Sequence, residues 1–310
     1  MSGLSDKRLL FLTGKGGVGK STVAIALALA AARRGRRTVI AELTGQDRAA
    51  VAFGHADGSS GARELRLAEN LFTISIEPQH VLEEYLQQKA GPLGDVLAGS
   101  RTFHGFVSAT PGMRELLALG KVWELAQPQR RTRDAQPYDL VVVDAPATGH
   151  GLATLLTPRT FAEIAKVGPI ASQGRTLDAF FTDARLAAVV AVALAEEMPV
   201  NETISLRERL REEAGIELAA TVVNALVPDR LGPRQAATVA GAVDGVRSPL
   251  VRAALESARS EHVRARAQRA QVERLAEGLG SAPFELPYLF TPAVDMAGLE
   301  LLSERLEELL

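Results

Sequence analysis

The chain has 310 residues and no cysteine. Disulfides, thiolate metal sites and cysteine nucleophiles are therefore excluded. Aromatic residues make up 5 %, with one tryptophan, and only four methionines are present, one of them Met1. A methionine-rich, adaptable binding surface is thus not available to it. Neither sign of charge dominates, since the formal net charge is −2. Binding of nucleic acid through bulk positive charge is not expected. The five histidines are scattered and lack acidic companions at ligand spacing. The apolar runs "VAIALALAAA" (23–32) and "LAAVVAVALA" (186–195) are too short to span a bilayer. The opening "MSGLSDKRLL" lacks the apolar core of a signal peptide. These absences lead to the expectation of a cytoplasmic protein.

Apolar residues at 46 % and charged residues at 23 % describe an ordinary globular chain long enough to bury a sizeable core. Short β-rich runs alternate with helical stretches. Strands are expected at 8–13, 37–43, 71–76, 138–146, 186–194, 218–226 and 284–289. A helix is expected over 20–35, closed by Gly35, and a long Arg/Glu/Ala-rich helix over 247–278. Continuous apolar strands fit a parallel sheet covered on both faces. The fold class expected is therefore α/β, a doubly wound, mostly parallel sheet. The chain reads as a single domain over 1–310, with helical insertions at about 79–136 and 157–185.

The strongest motif is "GKGGVGKST" (14–22), which fits G-x-x-x-x-G-K-[ST] between a strand and a helix. Its glycines let backbone N–H groups approach phosphate oxygens, and the following helix N-terminus adds partial positive charge. Lys20 is expected to pair with the β and γ phosphates, and Ser21 to give its hydroxyl to Mg²⁺. The second motif, "YDLVVVDAPATGHG" (138–151), is an apolar strand ending in Asp144, a candidate support for the same Mg²⁺. The "ATGHG" after it reads as a mobile switch, with His150 as a structural hydrogen-bonding residue. The third, "RTVIAELTGQD" (37–47), offers Glu42, with Asp47 second, as the group that orients an attacking water. Glu42 as a plain strand-end residue is nearly as good a reading. Lys15 is left over, because one lysine suffices to grip the phosphates.

The form G-K-G-G-x-G-K-[ST] is the deviant Walker A motif. The chain resembles the family that holds the arsenite-pump ATPase and the ATPase that targets tail-anchored membrane proteins, and is most similar to bacterial homologues of the latter. "GKGGVGKST", "TGHG" after Asp144, "ETISLRERLREEAGIELAATVVNAL" (202–226) and "LPYLFTPAVDMAGLELL" (286–302) carry the resemblance over most of the chain. It implies an Mg²⁺-dependent ATPase that binds ATP or ADP and dimerises around nucleotide, as a homodimer or as a heterodimer with a related subunit. It also implies that Lys15 acts on the partner's nucleotide, that Asn224 reads adenine, and that Pro287 to Phe290, with Leu289 among them, pack near the base. The cofactor-binding set is Gly14, Lys15, Gly16, Gly17, Val18, Gly19, Lys20, Ser21, Thr22, Asn224, Pro287 and Leu289. Lys15, Lys20, Glu42 and Asp144 form the catalytic set; Ser21 and Asp144 hold the metal.

The sequence departs from the family pattern in several places. Thr44 and Gly45 stand where the family's first switch has Asp-Pro, which leaves the usual water-orienting aspartate missing: either hydrolysis is slow or Glu42 takes over. "DAPATGH" replaces D-T-A-P-T-G-H. The C-x-x-C of the eukaryotic targeting ATPase is missing, so no zinc is expected. An arsenite site built on thiolates is excluded on the same ground. A hydrophobic helical client is compatible with apolar faces at Val81, Leu82, Tyr85 and Leu86, at Phe103, Phe106 and Val107, at Met113, Leu116, Leu117, Leu119, Val122 and Trp123, and at Phe161, Ile164, Val167, Phe180 and Phe181. Packing of these faces on the sheet is at least as good a reading. Two rivals stand beside the ATPase: a nucleotide-gated regulator that barely hydrolyses ATP, and a positioning or partition ATPase. The acidic C-terminal "GLELLSERLEELL" makes a poor anchor for an anionic membrane.

Overall fold

A computed structural model describes residues 3–43, 45–55, 63–90, 110–130 and 135–310, with side chains of 85–90 and 148–150 left aside. Eight strands form one sheet: β1 (Leu9–Thr13), β2 (Thr38–Glu42), β3 (Leu65–Ala68), β4 (Leu71–Ser75), β5 (Leu140–Asp144), β6 (Ala187–Leu194), β7 (Leu218–Leu226) and β8 (Phe284–Pro287). Their order is β3-β4-β2-β5-β1-β6-β7-β8. All neighbouring pairs are parallel except β3 with β4. The doubly wound α/β class expected from the alternation is the one observed.

The described helices are α1 (Lys20–Arg33), α2 (Arg48–Ala52), α3 (Pro78–Ala90), α4 (Met113–Leu125), α5 (Thr148–Ala165), α6 (Pro169–Thr182), α7 (Glu197–Arg209), α8 (Pro233–Ala242), α9 (Pro249–Leu279) and α10 (Met296–Leu306). Alternate residues of the central strands point to opposite faces, as the strand period demands. Leu9, Phe11, Val141, Val143, Val189 and Ala191 join α4, α5 and α6 in one core layer. Leu10, Leu12, Val142, Val190 and Val192 join α1 and α10 in the other. Helix α1 is buried on every side from Val23 to Ala32. An all-round apolar helix has to lie inside the protein, and its alanines let α10 pack closely against it. Gly35, with φ of +82°, ends this segment, as its position in the sequence suggested.

The structure adds one strand to the expected set. β3 pairs antiparallel with β4 through a turn in which Asn70 takes φ of +56°. "LRLAENLF" is a two-residue hairpin with asparagine in the left-handed region, a signal that was present but overshadowed by the parallel pattern. The backbone of "ATGHG" leads directly into a helix: Thr148 begins α5, and Gly151 N–H bonds to Ala147 O.

Among the described residues, several of the side chains read as a possible groove are taken up by the core. Leu82, Leu116, Leu119, Val122, Phe180 and Phe181 are all buried. Phe103, Phe106 and Val107, and the side chains of Tyr85 and Leu86, lie outside the described residues. Ile164 and Val167, at the turn between α5 and α6, are 74 % and 81 % exposed. This division is testable. Leu119→Ala should cost about 2–5 kcal/mol in denaturant unfolding. Ile164→Ala should change stability by less than about 0.5 kcal/mol.

Candidate nucleotide site

The carboxyl ends of β1, β2, β5 and β7 meet along one edge of the sheet, where ligands bind in open α/β folds. Register fixes the lateral order: Leu12 lies beside Asp144 across β1 and β5, and Glu42 lies beside Asp144 across β2 and β5. From β1 the chain turns through Gly14–Gly19 into α1. A Cβ on Gly14, which has φ of +151°, would sit 2.1 Å from Val192 O of β6. One on Gly19, φ +88°, would sit 2.3 Å from the Asn224 amide of β7. Glycine is therefore required at both positions by contact as well as by backbone angle. Gly16 and Gly17 are exposed at the loop's outer turn, and Val18 anchors it in the core. No side chain caps α1 at Gly19, so its N-terminal dipole faces the loop.

Three of the sequence-derived residues converge. Lys20 Nζ donates to Lys15 O at 3.0 Å, which curls it over the loop. Burial lowers its pKa, Asp144 opposes this, and Arg48 adds to it. The Ser21 hydroxyl donates to Asp144 Oδ2 at 2.6 Å. Asp144 is buried, and burial raises its pKa against the pull of Ser21, Lys20 and Arg48. A hydroxyl and a carboxylate held together are hard oxygen donors of the kind Mg²⁺ selects. The residues present therefore fit that ion. Thr22 follows, half-buried on α1.

The other nominated residues are placed differently. Lys15 Nζ is paired with Glu202 Oε1 of its own chain at 2.8 Å, both side chains about a third exposed. Asn224 donates from Nδ2 to Val18 O at 3.0 Å, and its Oδ1 accepts from Ala225 N. It braces the loop from the end of β7. Tyr288 N–H bonds to Leu226 O, which ties the Pro287–Phe290 segment to the same strand end. Leu289 packs inward near Gly298 of α10, whereas Tyr288 and Phe290 meet edge to face at 5.0 Å. Arg230 lies over the Phe290 ring, 5.0 Å from its centroid. Thr44 lies outside the described residues, as do the side chains of the TGH switch.

Glu42 does not face solvent. It is 1 % exposed, and its Oε1 accepts the Ala49 N–H at 2.8 Å. In this geometry Glu42 caps the short helix α2 and fastens the segment after β2 to the sheet. Asp47, the second candidate, takes φ of +46° at the N-cap of that helix. Two residues escaped the sequence reading. Arg48 donates from Nη1 to Ser21 Oγ at 2.8 Å. No motif flags Arg48, because its reach depends on how Glu42 holds α2. Glu202 had a signal in the E-T pair, which lies within α7 rather than opening it, but not a partner.

A glycine loop after the central strand, opening a helix, with a carboxylate at the neighbouring strand end, defines a P-loop NTPase of the α/β class. The family model described as Anion-transporting ATPase matches residues 7–170. The chain belongs to this ATPase family. It is 30 % identical to ATPase BagA of Mycobacterium tuberculosis over 99 % of this chain and 94 % of that protein. It is 28 % identical to a putative arsenical pump-driving ATPase of Halobacterium salinarum, over 74 % of this chain and 37 % of the other. ATPase get3 of Aspergillus terreus is 25 % identical, over 71 % of this chain and 73 % of its own. Among the described residues no helix is long and apolar enough to cross a membrane.

Burial, with Asp144 and Asp47 nearby and the Ala49 N–H opposing, pushes the Glu42 carboxyl up to about 7 from 4.5. Between these values the folded chain keeps a proton that the unfolded chain has lost. Stability therefore falls as pH rises through that window, and the penalty is complete above it. Glu42→Gln keeps the acceptor for Ala49 and cannot ionise. Thermal unfolding should show it gaining roughly 1–3 kcal/mol over the wild type between about pH 5 and about pH 8.

Proposed function

We propose that this chain is an Mg²⁺-dependent ATPase that binds ATP at the Gly14–Thr22 loop, closes as a dimer around it and reopens after hydrolysis. The observation that carries the reading is the convergence of Lys20, Ser21 and Asp144 at the N-terminus of α1. Lys20 supplies charge to the β and γ phosphates, and the loop backbone cradles them. Ser21 and Asp144 would hold Mg²⁺, which when bound neutralises phosphate charge and polarises the γ-phosphoryl group. Asn224 keeps the loop in register against β7 and borders the base, with the Pro287–Phe290 segment on its far side.

Lys15 is the residue for the partner's nucleotide. Its pair with Glu202 is exposed enough that breaking it costs about 1 kcal/mol or less. A charge-assisted contact to a phosphate in a closed, dry interface is worth more. Exchange of Glu202 for the partner's nucleotide is then favourable, and closure is coupled to ATP. The apolar turn at Ile164, Val167 and Ile170 is the exposed surface that opening and closing would present to a hydrophobic helical client, such as a tail-anchored segment. The names of the relatives include both a pump-driving ATPase and get3; a chain without cysteine favours the second kind of role, because arsenite sensing needs thiolates.

The burial of Glu42 favours a second reading, a nucleotide-gated regulator with slow turnover, because its carboxylate is occupied by Ala49 and turned from solvent. Calorimetry with ATP and Mg²⁺ tests the shared core of both. Lys20→Ala should weaken binding by at least about 100-fold, and unchanged affinity removes the site. Lys15→Ala should leave monomer affinity within about threefold while abolishing the shift to dimer with a non-hydrolysable analogue in light scattering. Phosphate release then separates the fast enzyme from the slow regulator.

A further inference from the structure

The Ser21 hydroxyl carries two charged neighbours. It donates to Asp144 Oδ2 at 2.6 Å and accepts from Arg48 Nη1 at 2.8 Å. Arg48 thus places a cation on the oxygen that, with the Asp144 carboxylate, forms the hard-donor pair suited to Mg²⁺. Its backbone is firmly based: the next residue, Ala49, is fully buried and bonded to Glu42. Its side chain, by contrast, is exposed and long enough to turn toward a ligand seated on the loop. Its field also reaches both Lys20 and Asp144. An arginine fixed at its root, with a movable head at a phosphate loop, has the chemistry of a bidentate phosphate binder.

We propose that Arg48 is a built-in cation of the nucleotide site, which competes with Mg²⁺ for the Ser21 hydroxyl oxygen beside Asp144 and supplies positive charge to the phosphates in the metal's place. The proposal rests on the nucleotide-site reading and adds a property to it: affinity for ATP depends less on divalent metal than the Ser21–Asp144 pair alone would require. Both effects of Arg48 act in one direction. It strengthens metal-free binding by contacting phosphate. It weakens the metal's advantage, because two cations on one hydroxyl oxygen repel.

The experiment is calorimetric titration of the full chain with ATP, in excess Mg²⁺ and in excess EDTA. The quantity read is the ratio of the two dissociation constants. Arg48→Ala is expected to raise the Mg²⁺ dependence about fivefold or more over the wild type. Arg48→Gln, which keeps an NH₂ donor group but not the charge, should behave like Arg48→Ala; it also serves as the second variant if the alanine form unfolds. Arg48→Lys should stay nearer the wild type. A ratio raised by less than about fivefold in both uncharged variants overturns the proposal while leaving the nucleotide site standing. Failure of the wild type to bind ATP under either condition overturns the site itself, and this inference with it.

Discussion

The hydrogen bond between Ser21 and Asp144 joins the first turn of α1 to the end of β5, and the site depends on it. It exists because β1 and β5 are parallel neighbours in a register that sets Leu12 beside Asp144. The same register carries Glu42 to the next position along the edge. Three strand ends thus deliver a loop, a carboxylate and a capping acid to one line without a long connection. The apolar strands behind them are buried on both faces, so this edge cannot shift without breaking two core layers.

Lys20 and Arg48 face Asp144, while Glu42 is withdrawn against α2. Burial lowers the Lys20 pKa and raises that of Asp144, both toward neutrality, and their mutual attraction opposes it. The Lys15–Glu202 pair stands apart from these contacts, with both side chains about a third exposed.

The helices over one face separate structural from presented apolar surface. α4 and α6 give Leu116, Leu119, Val122, Phe180 and Phe181 to the core, whereas the turn between α5 and α6 leaves Ile164 and Val167 in water. Amphipathic periodicity cannot tell these apart, because a helix that covers a sheet and a helix that lines a groove follow the same pattern. Only the neighbours of each residue decide.

Much of this protein was legible in its residues. Apolar runs with β-branched side chains gave the strand positions. Glycine, lysine and serine at fixed spacing placed the loop on α1, and the aspartate at the end of an apolar run placed the carboxylate. These are local facts, set by backbone sterics and burial, and they survive in the linear chain. The hairpin of β3 and β4 was local too, but its asparagine turn was weaker than the parallel pattern around it. The duties of Glu42, Arg48, Asn224 and Glu202 could not be read in the same way. Each depends on a partner brought near by folding: Ala49 at the start of α2, Ser21 on α1, Val18 in the loop, Lys15 beside α7. The sequence by itself determined that a phosphate loop would open a helix beneath a parallel sheet, because spacing and sterics are properties of the chain. Which charges meet across that loop was decided only by the tertiary structure, because hydrogen bonds and burial act through space.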